Sequence, residues 1–141
     1  MPAGIEVIAK RFVRSDFLEE GIVIDSKKIA LRIAQTVRDK KADKVVVLDL
    51  RALSGFCEYF VICSGSSHRH VNALADTVKD DLAQEGVKPL SRISPKDGSG
   101  WVVLDFSSVV AHFFYKPTRE FYALERLWSD AKRLRIPKKP I

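Results

Sequence analysis

The stretch with the most chemical potential is residues 63–70, Cys-Ser-Gly-Ser-Ser-His-Arg-His, which follows one apolar run and precedes an amphipathic one. Glycine and serine at a strand-to-helix turn are residue types that cradle phosphate, and two histidines around an arginine suggest a metal or an anion. Each possibility makes demands on its neighbours. His68 and His70 are two residues apart, so on a helix they point in different directions. The remaining histidine is His112, and no cysteine or carboxylate pair stands at ligand spacing, so no metal is expected. The turn matches neither the Walker phosphate loop nor the GxGxxG fingerprint. Hydrolysis or group transfer needs a nucleophile with a base, or two carboxylates flanking a metal. Asp49 and Asp105 each end a predicted strand and would approach the turn if their strands were neighbours. The place for a second acid beside Asp49 is taken by Arg51, which repels a metal. The expectation is therefore a protein that is not an enzyme and has no cofactor. A nucleotidyltransferase-fold enzyme using Asp49, Asp105 and the Gly65–Ser67 turn stands as the alternative.

The same residues have a structural use. Ser66 or Ser67 is a natural N-cap, and Gly65 permits the tight reversal. The charges sit awkwardly, however. His68, Arg69 and His70 crowd the positive end of the predicted helix, and Asp76, Asp80, Asp81 and Glu85 lie towards its negative end. An anion held by Ser66, Ser67 and Arg69 would relieve the first half of that conflict. A phosphate, a partner's carboxylate or Glu58 could fill the role.

The elements that position these groups follow from periodicity. Ile29, Ala30, Ile33, Ala34 and Val37 fall on one helical face after the start signal Asp25-Ser26. Val45 to Leu48 reads as a buried strand, and Tyr59 to Ile62 as a second. Val71, Leu74, Ala75, Val78 and Leu82 repeat at helical spacing up to Gly86. Residues 87–93 predict a short strand that Pro89 confines to an edge, and 95–100 form a turn by composition. Residues 101–106 and 109–115 predict a hairpin, and a last helix is expected from about Arg119 to Trp128. The fold class is α/β, a single domain with a mixed sheet of about five strands and flanking helices.

A chain of 141 residues has room for one domain burying roughly two-thirds of its unfolded surface. Residues 1–26 read as an N-terminal arm, 27–130 as the domain and 131–141 as a basic C-terminal tail. No run approaches the ~20 apolar residues of a membrane span. The N-terminus lacks a signal-peptide block, so a cytoplasmic protein without membrane contact is expected. Cys57 and Cys63 read as buried small hydrophobes. The net charge of +6 favours an anionic partner. Arg69 with the basic tail raises a second alternative, an RNA-binding module.

Residues 101–128 are rich in aromatic side chains: Trp101, Phe106, Phe113, Phe114, Tyr115, Phe121, Tyr122 and Trp128. Phe113, Phe121 and Trp128 read as core, and His112 as a hydrogen-bonded core residue. Trp101 and Tyr122 suit core and interface equally. In strand 109–115 neither face is strongly polar, so helices covering one side would leave an apolar patch suited to a protein partner.

Four blocks in order, DKVVVLDLRALS, EYFVICSGSSHRHVNALAD, GWVVLDFSSVVAHFF and REFYALERLW, resemble the ribosomal silencing factors, also called the Iojap family. The resemblance implies a nucleotidyltransferase-like fold without known enzymatic activity. It also implies binding to the large ribosomal subunit through ribosomal protein L-fourteen. The bound factor would block joining of the small subunit and so repress translation. The contact residues implied are Trp101, Phe106 and Tyr122, with Asp105, Glu120 and Glu125 as a carboxylate rim suited to a basic ribosomal protein. Contact with ribosomal RNA, and a homodimer of the free protein closed on the apolar sheet face, are further expectations. This chain has Phe106 where the family usually has leucine or tyrosine, and Ser107-Ser108 where it commonly has Gly-Asp. Nothing carries over to the arm.

Overall fold

A computed structural model describes residues 25–55, 57–94 and 99–138; most of the expected arm and part of the 95–100 turn lie outside these. Helix α1 (Ser26–Asp39) starts where the sequence signals it, Asp25 accepting a hydrogen bond from the Lys27 amide at 3.0 Å. It buries Ile29, Ala30, Ile33, Ala34 and Val37. Strands β1 (Asp43–Asp49) and β2 (Tyr59–Gly65) follow, then helix α2 (His68–Ala83) and the short strand β3 (Ser91–Ile93). Strands β4 (Trp101–Asp105) and β5 (Val109–Tyr115) form the expected hairpin.

The six-stranded sheet has the order β3-β4-β5-β2-β1-β6, with β2 and β5 parallel at its centre and the other pairs antiparallel. Alternation along the central strands separates two apolar layers. Val61, Cys63, Val102, Leu104, Ala111 and Phe113 pack with α1 and α2 on one face. Phe60, Ile62, Trp101, Val103, Val110 and Phe114 line the other.

That second face is not bare. Leu124 is fully buried on it, and Tyr122, Trp128 and Ala131 pack against it. The apolar sheet patch expected as a docking or dimer surface is therefore covered. The cover differs from the single helix expected from Arg119 to Trp128. Helix α3 (Lys116–Tyr122) opens with a proline in its first turn and ends at Ala123, whose left-handed φ of 46° breaks the axis before the short helix α4 (Leu124–Leu127). A continuous helix would put Phe121, Leu124 and Trp128 on one face. The break turns Phe121 outward instead, and it is 82% exposed, so the expectation of a core Phe121 fails.

The sixth strand, beyond the five expected, comes from the basic tail. Strand β6 (Lys132–Arg133) pairs with Asp49 and Leu48 of β1, and the Leu134 amide donates to the Val47 carbonyl at 2.9 Å. The described part of residues 131–141 is thus built onto the domain; residues 139–141 lie outside those described.

Candidate protein-docking face

The sheet register settles where the candidate chemical groups stand. Asp49 pairs with Tyr59 and Asp105 with Val110, and Tyr59 is level with Val109. Both carboxylates therefore sit at one end of the sheet. Gly65 is level with Tyr115 at the other end, six residues along β2 and so roughly 20 Å away. The proximity considered for Asp49, Asp105 and the Gly65–Ser67 turn does not occur. Asp49 is instead held by Arg51, with contacts of 2.9 and 3.0 Å that keep its carboxyl below the usual range. Asp105 is fully buried, and its Oδ1 accepts the Ser107 amide at 2.8 Å. That bond closes the hairpin turn over Ser107, whose φ is 78°. Among the described residues no group of three or more His, Cys, Asp or Glu side chains could hold a metal ion.

The Gly65–Ser67 turn is occupied by its own helix. Ser67 is the N-cap, accepting the His70 amide at 3.0 Å. The Ser66 amide donates to His70 Nδ1 at 2.9 Å, and Nε2 stands 2.9 Å from the Lys40 carbonyl, which can only accept. Nδ1 therefore accepts and Nε2 donates. His70 thus ties the turn to the end of α1, and the Ser66 amide that an anion would use already has a partner. His68 lies across Tyr115, with ring centroids 4.5 Å apart, and Arg69 is exposed. Gly65 is needed for close approach: a Cβ there would meet Val71 Cγ2 at 2.9 Å and Val71 N at 3.0 Å. Three of the four acids along α2 and just beyond it are compensated from outside the helix. Arg32 of α1 reaches Asp81 at 2.8 Å and Glu85 at 2.6 Å, and Arg92 of β3 pairs with Asp76.

The residues implied as partner contacts divide into two groups. Trp101 begins β4 at the Tyr115 end and faces the α3–α4 side. Phe106 follows β4 at the opposite end and packs in the layer beneath α1 and α2. Phe106 and Asp105 are therefore remote from Trp101, and both are buried.

Around Trp101 the packing is aromatic throughout. Its ring stacks on Phe114 (4.9 Å) and meets Tyr122 (5.0 Å), and its Nε1–H donates to His112 Nδ1 at 3.1 Å. Trp101 is only 4% exposed, because half-buried Tyr122 lies over it. His112 is fully buried, and burial lowers its pKa to about 3. Its Nε2 has no hydrogen-bond partner, and the ring stands edge-on to Phe60 with centroids 4.5 Å apart.

Arg119 fastens this cover to the sheet. Its Nη1 donates to the Lys44 carbonyl at 2.6 Å and to Ser64 Oγ at 2.9 Å, and its Nε donates to Glu125 at 2.7 Å. Glu125 is thus an internal partner, and Glu120 is the exposed carboxylate of the block. The side chains displayed outward are Phe121 and Leu127, the latter 44% exposed; Phe121 also packs edge-on against Tyr122 with centroids 5.1 Å apart. Sequence reading missed Phe121 because alanine carries no local signal for the left-handed conformation that Ala123 adopts. It missed Arg119 because nothing local distinguishes a buried arginine from an exposed one.

The sequence profile of the family described as "Ribosomal silencing factor during starvation" matches residues 23–140. The chain is 35% identical over 108 residues to the ribosomal silencing factor RsfS of Bacillus subtilis, covering 77% of this chain and 91% of that one. It is 36% identical over 100 residues to the protein of the same name from Halalkalibacterium halodurans, covering 71% and 85%. Among solved structures, a Chromobacterium violaceum protein superposes with a TM-score of 0.71 at 25% identity, covering 83% of this chain and 96% of the other.

Proposed function

This chain belongs to the ribosomal silencing factor family, and from that premise we propose that it is a cytoplasmic translation repressor acting on the large ribosomal subunit. It docks through ribosomal protein L-fourteen and occupies the surface that the small subunit needs, so that the two cannot join. No catalysis is required of it. The observation that carries the docking assignment is Phe121, which stands 82% exposed on α3 directly against Tyr122. An aromatic ring supported from behind by other rings is the kind of rigid anchor on which interface energy concentrates. Leu127 adds apolar area and Glu120 an exposed carboxylate facing a basic partner. Trp101, buried beneath Tyr122, supports the face rather than forming its surface. When the protein is free, the same Phe121–Leu127 surface is where a second copy would close.

Replacing Trp101 would disturb the core, so the test uses surface positions. A Phe121→Ala, Leu127→Ala variant with an unchanged far-ultraviolet spectrum should co-sediment with purified large subunits at least about tenfold more weakly than the parent. Wild-type binding by that variant would show that the docking face lies elsewhere.

A further inference from the structure

Five of the six units of net positive charge lie in residues 131–141, which contain no acid, leaving the rest of the chain almost neutral. A free basic tail would be unremarkable, but the described part of this one is not free. Leu134 and Ile136 pack against the layer under α1 and α2. The Pro137 carbonyl accepts hydrogen bonds from Gln35 Nε2 at 2.8 Å and Arg38 Nη2 at 2.6 Å. Leu134 and Ile136 turn inward, Arg133 and Arg135 alternate with them and are exposed, and Lys132 and Lys138 are exposed at either end of the segment. None of the four forms an ion pair among the described residues.

We infer that this sheet edge is a contact for ribosomal RNA, with Arg133 and Arg135 gripping neighbouring phosphates of one strand. Arg133 ends β6, and Arg135, two residues further along the chain, is at most roughly 7 Å away, close to the separation of successive phosphates. The guanidinium fork suits a phosphate oxygen pair. The outward face of the segment carries no apolar anchor, which a protein partner would need. Because the strand is already held in place, binding costs little ordering entropy. The inference rests on the reading of the chain as a large-subunit factor, and it supplies a second attachment, on the sheet edge, separate from Phe121.

The test compares the full chain with an Arg133→Ala, Arg135→Ala variant. Binding is measured across a salt series to purified large subunits, to RNA extracted from those subunits, and to isolated ribosomal protein L-fourteen. The expected result is a log–log salt slope for subunits and RNA lower by about 1 per arginine, with binding to the isolated protein unchanged. An unchanged slope would overturn the inference while leaving the steric proposal intact. An equal loss towards the isolated protein would also overturn it, by making the edge a protein contact. If the parent bound extracted RNA with an arginine-dependent slope but not whole subunits, the RNA edge would stand and the steric proposal would fall. Leu134→Ala keeps every charge but loosens the strand, and it should weaken RNA binding several-fold. Full affinity in that variant would mean that a mobile tail suffices, contrary to the inference.

Discussion

His112 makes the fold sensitive to acid in a window where few other groups act. In the folded protein burial holds its pKa at about 3, against 6.5 in the unfolded chain. At pH 5 the unfolded imidazole carries nearly a full proton and the folded one almost none, so the unfolded state binds more protons and stability falls as pH falls. The contribution is complete above pH 6.5 and is lost progressively down to about pH 3. Between pH 7.5 and 5 the interval below 6.5 covers about 1.5 pH units, which at ~1.36 kcal/mol per unit makes the loss ~2 kcal/mol. Such a loss is large against a typical domain stability of ~5–15 kcal/mol. Asp49 and Asp81, whose pKa values are lowered by arginine partners, work lower down: their stabilisation is present above the ordinary carboxylate value and is lost only as pH falls below it. Urea unfolding at pH 7.5 and pH 5 measures the effect on the parent and on His112→Gln, whose amide oxygen can still accept from Trp101 Nε1. Subtracting the two isolates the contribution of His112. The parent should lose ~2 kcal/mol more than the variant over this interval. Equal losses would mean that His112 is not held neutral in the core, and the packing described around Trp101 would be wrong.

Two further outcomes follow from buried groups. Arg119→Met should lower stability by ~2–4 kcal/mol in thermal or urea unfolding, because it leaves Glu125, Ser64 Oγ and the Lys44 carbonyl without their shared donor. Arg119→Lys should recover only part of that loss, since an ammonium cannot span all three acceptors. Cys57 and Cys63 are buried, and burial pushes both thiols up, Cys63 to about 12. Neither should react with a thiol reagent at pH 7.5 until denaturant is added; fast native labelling at two thiols would contradict the assigned packing.

Much of the architecture was legible because period and composition agree. The stripe on α1, the unbroken run in β2 and the β4–β5 hairpin each carry a local signal that tertiary structure did not override. What was not legible depends on pairs far apart in sequence. Parallel pairing of β2 with β5 places Tyr115 beside Gly65, and no local pattern announces it. The separation of Asp49 from the Gly65–Ser67 turn was partly accessible, since a short connection between β1 and β2 favours an antiparallel pair. In the aromatic segment, residue types did not assign depth. Trp101 went inward because Tyr122 covers it, and Phe121 went outward because Ala123 breaks the helix. The basic tail gained an edge strand because Leu134 and Ile136 alternate with its arginines, a two-residue period too short to stand out.

The central claim is steric exclusion on the large subunit, and a subunit-joining experiment tests it most directly. Purified large subunits are incubated with a saturating excess of the protein, small subunits are added under joining conditions, and the mixture is resolved on a sucrose gradient. The account predicts that the joined-ribosome peak falls in proportion to the protein bound, with the protein migrating only with free large subunits. Protein found in an undiminished joined-ribosome peak would contradict it.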